Sequence, residues 1–463
     1  MNVYRIQSAV FGPKTGILSI AATGLCMALA SPLLFAGCGG ASTGKKASAP
    51  TDSAPATVEP DLPPSPQVGI APEVEKKPAR KISRDARRDY ADAFEHFEKQ
   101  KARGWSRDTC ESAADRFVQV ASNHPKLVEA PFMAALSYHR CGMRKEAEQN
   151  YRRALKVDPS HARSLSNLGD LYFQSGKVKR AKKHWDSALQ ADSKIVAARN
   201  NLAWLLLQDL RKARSRSTWK RIEKQARDQL SASLAVNTEN VSTYVLYALV
   251  YMEGWRRNRS RLDLAKLLLD EGAKRDDKFA PLYNTRGLLY MKRNRQGEAL
   301  KNFRRAVELN RDFVEARMNV GNITLGFRKY DTAEEQFTKV IELQPKNYDA
   351  IIGLGIAQRG LGKLDLAEAS YKKATQLSSG RGAAYFNLGV LYKDFRANSA
   401  DDIKQSRDAY KQARSYFRTY MSKSDATKDM KKEAKDNISD CSKIIRQLDE
   451  VIEAMAKDAA SGN

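Results

Sequence analysis

Residues 280–313 read APLYNTRGLLYMKRNRQGEALKNFRRAVELNRDF, and residues 314–347 and 348–381 repeat this pattern of small and aromatic side chains. A glycine returns every 34 residues, at Gly287, Gly321 and Gly355. A small residue and then an aromatic residue return at the same interval, at Ala299, Ala333 and Ala367 and at Phe303, Phe337 and Tyr371. This period predicts a repeated helix–turn–helix unit, because small residues let two antiparallel helices approach closely and the aromatic ring fills the groove beside them.

The pattern resembles the tetratricopeptide repeat (TPR), and its phase continues in both directions along the chain. The resemblance implies an all-α, right-handed superhelical solenoid of about eight or nine repeats over residues 83–424. The units lie near residues 94–127, 128–161, 162–195, 196–240, 241–279, 280–313, 314–347, 348–381 and 382–424. The first of these units matches the pattern poorly in its first helix. A repeat of this kind indicates a binding scaffold without naming the partner.

The C-terminal segment, residues 425–463, has a different pattern. Apolar side chains at alternating spacings of four and three predict an amphipathic helix. They are Ala434, Ile438, Cys441, Ile445, Leu448, Ile452 and Met455. We expect this helix to cap the exposed end of the solenoid, and a short coiled coil that dimerises the protein is the alternative.

The N-terminus predicts export and attachment to a membrane. Residues 1–37 combine early basic residues with an uncharged apolar run over 15–35, which is typical of a signal peptide. The run is also long enough for a transmembrane anchor. The sequence LFAGCG around Cys38 resembles a bacterial lipoprotein box, except that phenylalanine replaces the usual leucine. The resemblance implies acylation of Cys38, with Gly39 favouring an outer-membrane lipoprotein that faces the periplasm over an inner-membrane one. Residues 38–82 are rich in Ala, Ser and Pro and predict a disordered tether.

Three cysteines remain once Cys26 is removed with the signal peptide and Cys38 is acylated. In the repeat phase Cys110 and Cys141 both lie near turns between paired helices, on one edge of neighbouring units. An exported compartment permits a disulfide between them. Two buried free thiols are the alternative.

The second helices of the fourth and fifth units arrive 11 and 5 residues late, and both insertions are rich in arginine. Because both lie in turns between paired helices of adjacent units, we expect them to emerge side by side as a basic edge. The candidate residues are Arg211, Lys212, Arg214, Arg216, Trp219, Lys220, Arg221, Lys224, Trp255, Arg256, Arg257, Arg259 and Arg261. The chain holds 80 Lys+Arg against 54 Asp+Glu, a net charge of +26. Outside the cytosol, anionic lipid, lipopolysaccharide or an acidic protein are the expected counterparts, and no nucleic acid is expected. A merely solvated basic loop is the alternative.

Asparagine returns at the sixth position of several repeats, where peptide-gripping repeats of this family often carry it. These candidates for the concave face are Asn167, Asn201, Asn319 and Asn387. The paired lysines of repeats that clamp a C-terminal carboxylate are not repeated here.

Enzyme signatures are absent from the sequence: it has no HExxH, CxxC, GxSxG or phosphate-binding loop, and its histidines lack metal-ligand spacing. The glycine-rich run at residues 353–363 follows the repeat phase, except for Gly353. We therefore expect no enzyme activity, no cofactor and no metal.

The expected function is a non-enzymatic, membrane-anchored scaffold for other proteins of an envelope machine. The lipoprotein box, tether and long array together resemble the TPR lipoprotein of the myxobacterial gliding-motility machinery. An assembly factor of the pilus or secretin type is one alternative. A regulator of a cell-wall enzyme that binds an anionic polymer is the other.

Overall fold

The computed structural model describes residues 82–461, and every regular element in that range is a helix. The predicted signal peptide, the predicted acylation site Cys38 and the predicted tether as far as residue 81 lie outside the described residues. None of the helices in the described range is both long enough and apolar enough to cross a bilayer. The described residues fall into two compact units, an N-terminal unit over 82–311 and a C-terminal unit over 312–461.

The N-terminal unit contains twelve helices joined by short turns. They are α1 (Arg84–Arg103), α2 (Arg107–Asn123), α3 (Glu129–Arg140), α4 (Arg144–Val157), α5 (Ala162–Gln174), α6 (Val178–Ala191), α7 (Val196–Lys212), α8 (Arg216–Val236), α9 (Val241–Glu253), α10 (Arg261–Arg275), α11 (Ala280–Lys292) and α12 (Gln296–Leu309). Each helix packs on the next, and α9 also contacts α7 and α11. Consecutive helix pairs therefore stack as the repeat pattern predicts.

The C-terminal unit contains seven helices. They are α13 (Val314–Gly326), α14 (Tyr330–Leu343), α15 (Tyr348–Gly360), α16 (Leu364–Leu377), α17 (Ala383–Leu391), α18 (Ile403–Met421) and α19 (Lys428–Ser461). A single π-helical turn at Tyr392–Arg396 follows α17. Here too the first helices of successive pairs touch, α13 against α15 and α15 against α17.

Each repeat glycine faces the aromatic ring that follows it by 16 residues. A Cβ atom at Gly355 would lie 2.5 Å from the ring of Tyr371, and one at Gly321 would lie 2.8 Å from Phe337. The rings themselves are fully buried. Any side chain at the glycine would enter the volume that the ring occupies, so the two series seen in the sequence are two halves of one contact.

Gly353, the one glycine of the run 353–363 that the repeat phase leaves unexplained, belongs to the same kind of contact. Its Cβ would lie 2.5 Å from the ring of Phe337, the aromatic residue of the preceding repeat. Gly321 faces the same ring. Phe337 therefore lies between two glycines, one from its own helix pair and one from the next.

We expect Gly353→Ala to lower the free energy of unfolding by about 1–3 kcal/mol, because the new methyl overpacks the core against Phe337. Gly297→Ala is the matched control: Gly297 lies in α12, and a Cβ there meets nothing within 4 Å. This control should instead gain up to about 1 kcal/mol from helix propensity. Chemical denaturation of both variants measures the difference. Equal effects at the two positions would contradict the proposed contact.

In several repeats, the turn after the first helix of the pair contains a residue with left-handed backbone geometry, two positions after the last helical residue. Gly142, Gly176 and Gly362 have φ values of 71°, 73° and 74°, and Asn294 and Arg328 adopt the same conformation with φ of 58° and 56°. The left-handed residue reverses the chain in a tight turn and starts the second helix of the pair.

The insertion in the fourth unit is largely helical and is not the extended turn between paired helices that the sequence suggested. α5 and α6 have 13 and 14 residues, whereas α7 and α8 have 17 and 21. The additional turns are held because they bury Leu210, Trp219 and Ile222. Only residues 213–215 connect the two helices.

α19 packs along α18 as a capping helix. Met430, Ala434, Cys441 and Ile445 are buried in this contact. An ion pair between Arg407 of α18 and Asp449 of α19 (3.3 Å) lies further along the contact. After Asp449, α19 exposes Val451 and Met455, whose side chains are 45% and 58% accessible. The cap therefore uses the first part of the predicted apolar stripe and leaves the last part uncovered within the C-terminal unit.

Candidate interaction surfaces

The two arginine-rich insertions lie side by side in the N-terminal unit, as their repeat phase predicts. Arg211 Nε, at the end of α7, donates to Glu253 Oε1 at the end of α9, at 2.7 Å. The Arg261 guanidinium, at the start of α10, pairs with the Glu223 carboxylate of α8. The Trp219 ring adds two further contacts between the insertions, because the guanidinium groups of Arg257 and Arg261 lie 4.1 Å and 5.4 Å from its centre.

Three of the predicted edge residues are not exposed, and their assignment to a binding surface is wrong. The Arg211 side chain is 5% accessible and the Arg261 side chain 16%, because each pairs with a largely buried glutamate. Trp219, in the first turn of α8, is 7% accessible, and the Arg257 guanidinium lies over its ring. These residues hold the two insertions together.

Two other predicted edge residues contribute little. Lys224 is exposed but pairs with Asp228 on its own helix at 2.8 Å. Trp255 is half-buried, with the Arg256 guanidinium 5.5 Å from its ring. Neither is a free contact group of the kind that the sequence suggested.

Eight cations remain on the surface around the joined insertions, and we name them the cationic rim. They are Lys212, Arg214, Arg216, Lys220, Arg221, Arg256, Arg257 and Arg259. Glu223 and Glu253, the two acids nearest to them in the insertions, are turned inward and paired. Three exposed acids flank the rim: Asp209 on α7, Asp228 on α8, which pairs with Lys224, and Asp263 on α10, which pairs with Arg293. Within residues 211–224 and 254–261 every exposed charged side chain is therefore a cation.

The asparagines expected on the concave face are buried. Asn167 Nδ2 donates to the Tyr151 hydroxyl (3.1 Å), Asn201 Nδ2 to Asp170 Oδ1 (2.6 Å), and Asn387 Nδ2 to the Ala383 carbonyl (2.9 Å). Asn319 is fully buried as well. The prediction that these amides are exposed to a peptide is wrong, because their hydrogen-bonding groups are used within the helix stack.

Asp170, the partner of Asn201, is a fully buried carboxyl group. Its Oδ1 also accepts a hydrogen bond from Trp185 Nε1 at 2.8 Å, and no cation of residues 82–461 pairs with it. Burial raises the pKa of Asp170 well above 3.8, and the hydrogen bond from Trp185 only partly opposes this. The folded protein therefore holds a proton here that the unfolded chain releases at lower pH.

We expect Asp170→Asn to leave stability nearly unchanged below about pH 4 and to stabilise the protein increasingly as pH rises toward neutrality. The Asp170 carboxyl group has a higher pKa in the folded protein than in the unfolded chain. Its contribution to the free energy of folding is therefore fully present below the pKa of the unfolded chain and is lost as pH rises through the pKa of the folded protein. Denaturant unfolding at a series of pH values measures the difference. A stability difference that does not vary with pH would contradict the assignment.

The structure joins Cys110 to Cys141 in a disulfide, with their Cα atoms 6.3 Å apart. Cys110 lies in the first turn of α2 and Cys141 directly follows α3. The bond therefore connects the turn of one helix pair to the turn of the next. Cys441 is free and buried, and burial raises the pKa of its thiol to about 11.

A groove of about 450 Å³ between α1 and α2 was not found from the sequence. It is lined by Asp89, Asp92, Ala93, Glu95, His96, Lys99, Arg116, Gln119, Val120 and Asn123. Residues 89, 92, 96 and 99 follow helical spacing, which could have identified this face, but α1 lacks the repeat signature. The lining mixes both signs of charge.

Within residues 82–461, no cluster of three or more His, Cys, Asp or Glu residues could hold a metal ion.

Comparison with known proteins gives the same repeat. Models described as TPR repeat match residues 135–176, and models described as tetratricopeptide repeat match residues 167–229, 280–313 and 321–382. The search of curated proteins produced no match.

Among solved structures, the chain is similar to TTC0263, a thermophilic TPR protein in Thermus thermophilus. The identity is 20%, over 43% of this chain and 100% of that one, with a TM-score of 0.37. It is also similar to YrrB, a TPR protein with an unusual peptide-binding site (18% identity, 44% and 96% covered, TM-score 0.31). A third is the MamA protein (21% identity, 39% and 92% covered, TM-score 0.30). The matched segments identify the helix pairs at residues 135–229, 280–313 and 321–382 as tetratricopeptide repeats.

Proposed function

We propose that this protein is a membrane-anchored scaffold that holds other proteins of a multiprotein machine in a bacterial envelope. The observation that carries the proposal is the set of tetratricopeptide repeats, a fold that generally binds proteins or peptides and is generally non-catalytic. The repeat glycines and aromatic residues are used in packing. Binding to partners must therefore use the solvent-exposed side chains of the helices and their turns.

The disulfide supports an exported location. Disulfides persist in the periplasm and outside the cell and are rare in reducing cytosol. Cys110 and Cys141 are bonded in the N-terminal unit. This agrees with the proposed signal peptide and with acylation of Cys38. We therefore expect the repeats at the periplasmic side of the outer membrane.

The kind of machine is a finer part of the proposal. The lipoprotein box, the Ala/Ser/Pro-rich tether and the length of the array resemble the TPR lipoprotein of myxobacterial gliding motility. The cationic rim also suits a second candidate, a regulator of a cell-wall enzyme that binds an anionic polymer.

Crosslinking in intact cells tests the scaffold. The tagged full-length protein should bring down a reproducible set of envelope proteins, and each of these, tagged in turn, should bring it back. Labelling with radioactive palmitate should mark the wild type and not Cys38→Ala. The variant should leave the membrane fraction and lose its partners.

Two outcomes would overturn the parts of this proposal separately. If Cys38→Ala stays in the membrane fraction, the lipid anchor is refuted. If the normally expressed wild type recovers anionic polymer and no proteins, the scaffold is refuted and the cell-wall candidate is favoured.

A further inference from the structure

The cationic rim keeps its positive charge because the structure separates it from the acids in the same segments. Glu223 is 7% accessible and lies beneath Arg261, and Glu253 pairs with Arg211. Each of these largely buried glutamates is thus neutralised by a largely buried arginine. The exposed arginines and lysines within residues 211–224 and 254–261 therefore have no exposed carboxylate inside these ranges, and the exposed Asp209, Asp228 and Asp263 lie just outside them.

The rim is also held in a fixed arrangement. Arg211 and Glu253 connect the ends of α7 and α9, and Arg261 connects α10 to α8. Arg261 Nε additionally donates to the Tyr251 carbonyl at 3.2 Å, which closes the turn between α9 and α10. A surface that is already ordered loses less conformational entropy when a partner binds.

The composition of the rim favours carboxylate ligands. Six of its eight cations are arginines. The planar guanidinium group binds carboxylate through two parallel hydrogen bonds, which a lysine ammonium cannot do. Along α8, Lys220 follows Arg216 by four residues, about one helical turn, so these two cations lie on one face of the helix.

A membrane surface fits the rim less well than a protein does. Peripheral attachment to lipid commonly combines basic residues with apolar side chains that enter the bilayer. Within residues 211–224 and 254–261 no large apolar side chain is exposed: Trp219 is buried, and Trp255 is half-buried. The two ranges that form the rim offer charge without an exposed large apolar side chain, and the exposed Leu264 and Leu267 lie further along α10.

We propose that the cationic rim is the docking surface for an acidic segment of a partner protein. This inference rests on the proposed scaffold function and deepens it by naming the class of partner. Glutamate and aspartate side chains of the segment pair with the guanidinium groups of Arg214, Arg216, Arg256 and Arg259. The two linked insertions act as one platform.

The test uses the full-length protein in a zwitterionic detergent and a short fluorescent poly-glutamate peptide as the probe. The rim variant carries Arg214→Glu, Arg216→Glu, Arg256→Glu and Arg259→Glu. The control carries the same change of charge at four exposed lysines elsewhere in the N-terminal unit, Lys145→Glu, Lys156→Glu, Lys179→Glu and Lys183→Glu. Circular dichroism confirms that both variants are folded.

We expect the rim variant to bind the peptide about tenfold more weakly or worse, and the control to change by no more than about threefold. Binding by the wild type should weaken as salt is added. Equal losses in both variants would overturn the proposal, because they would show a response to total charge only. Rim-dependent binding of anionic phospholipid vesicles, without binding of the peptide, would overturn it in favour of a lipid surface.

The same two variants separate this inference from the scaffold proposal in cells. Loss of particular protein partners from the rim variant alone supports both. If both variants keep all partners, the rim proposal fails and the scaffold stands. If the wild type itself has no protein partners, the scaffold proposal fails first.

Discussion

Trp185→Ala should lower the free energy of unfolding by about 3–5 kcal/mol, among the largest effects of any single substitution in this chain. Trp185 is fully buried and lies against Gly169, where a Cβ would be 2.5 Å from the indole nitrogen. Its Nε1 donates to Asp170 Oδ1 and to the Ser166 carbonyl. The substitution opens a large cavity and also removes a donor from a buried carboxyl group.

Two further substitutions separate these contributions. Trp185→Phe keeps a ring in the site and loses the indole donor, so we expect a smaller loss of about 1–3 kcal/mol. Trp255→Phe, at a half-buried position, should change stability by no more than about 0.5 kcal/mol. Denaturant titrations of the three variants measure the differences. If Trp185→Ala were as mild as Trp255→Phe, the packing described for this repeat would be wrong.

Loss of the disulfide should lower the free energy of unfolding of the N-terminal unit by about 3–4 kcal/mol. The bond closes a loop with a sequence separation of 31 residues, and opening it returns that conformational freedom to the unfolded chain. Chemical denaturation of the oxidised wild type and of a Cys110→Ser, Cys141→Ser double variant measures the loss. Dithiothreitol should bring the wild type to the stability of the double variant and leave the variant unchanged.

Thiol counting checks the same bond by an independent route. In denaturant without reductant, Cys441 should be the only alkylated cysteine of the three that the structure describes, because Cys110 and Cys141 are bonded. After reduction all three should react. Alkylation of all three before reduction would contradict the disulfide.

The packing of the repeats could be predicted from the sequence because it depends on residues at a fixed interval. The glycine and aromatic series of residues 280–381 identify the two sides of each contact, and the contacts in the structure are those pairs. Gly353 could not be assigned, because its partner Phe337 belongs to the preceding repeat and no periodic series includes Gly353.

The basic surface could be predicted only in part. The repeat phase indicates that the two insertions are neighbours, and the Arg211–Glu253 contact between them agrees. The phase does not indicate that α7 and α8 continue through the insertion as helix. It also does not reveal which cations are buried, since each pairing joins residues 38 or 42 positions apart. The sequence does contain one indication of this pairing: Glu223 and Glu253 are isolated acidic residues in or beside the arginine-rich insertions.

The asparagines show a limit of a different kind. Some repeat positions often contact a bound peptide in a family. A side chain at such a position can contact a peptide only when the neighbouring helices leave it exposed. Here Asn167 and Asn201 are 4% and 2% accessible, and their amide groups donate to Tyr151 and Asp170. The spacing of residues in one repeat does not determine how closely the next repeat covers them.

Site-specific photocrosslinking in cells tests most directly the central claim that this chain is a scaffold which holds proteins at its cationic rim. A photoreactive amino acid replaces Lys220 of the rim in the full-length protein, and the exposed Lys183 is the matched control position. We predict discrete protein adducts from position 220 and none of the same mass from position 183. Identical adducts at both positions, or adducts to lipid alone at position 220, would contradict the claim.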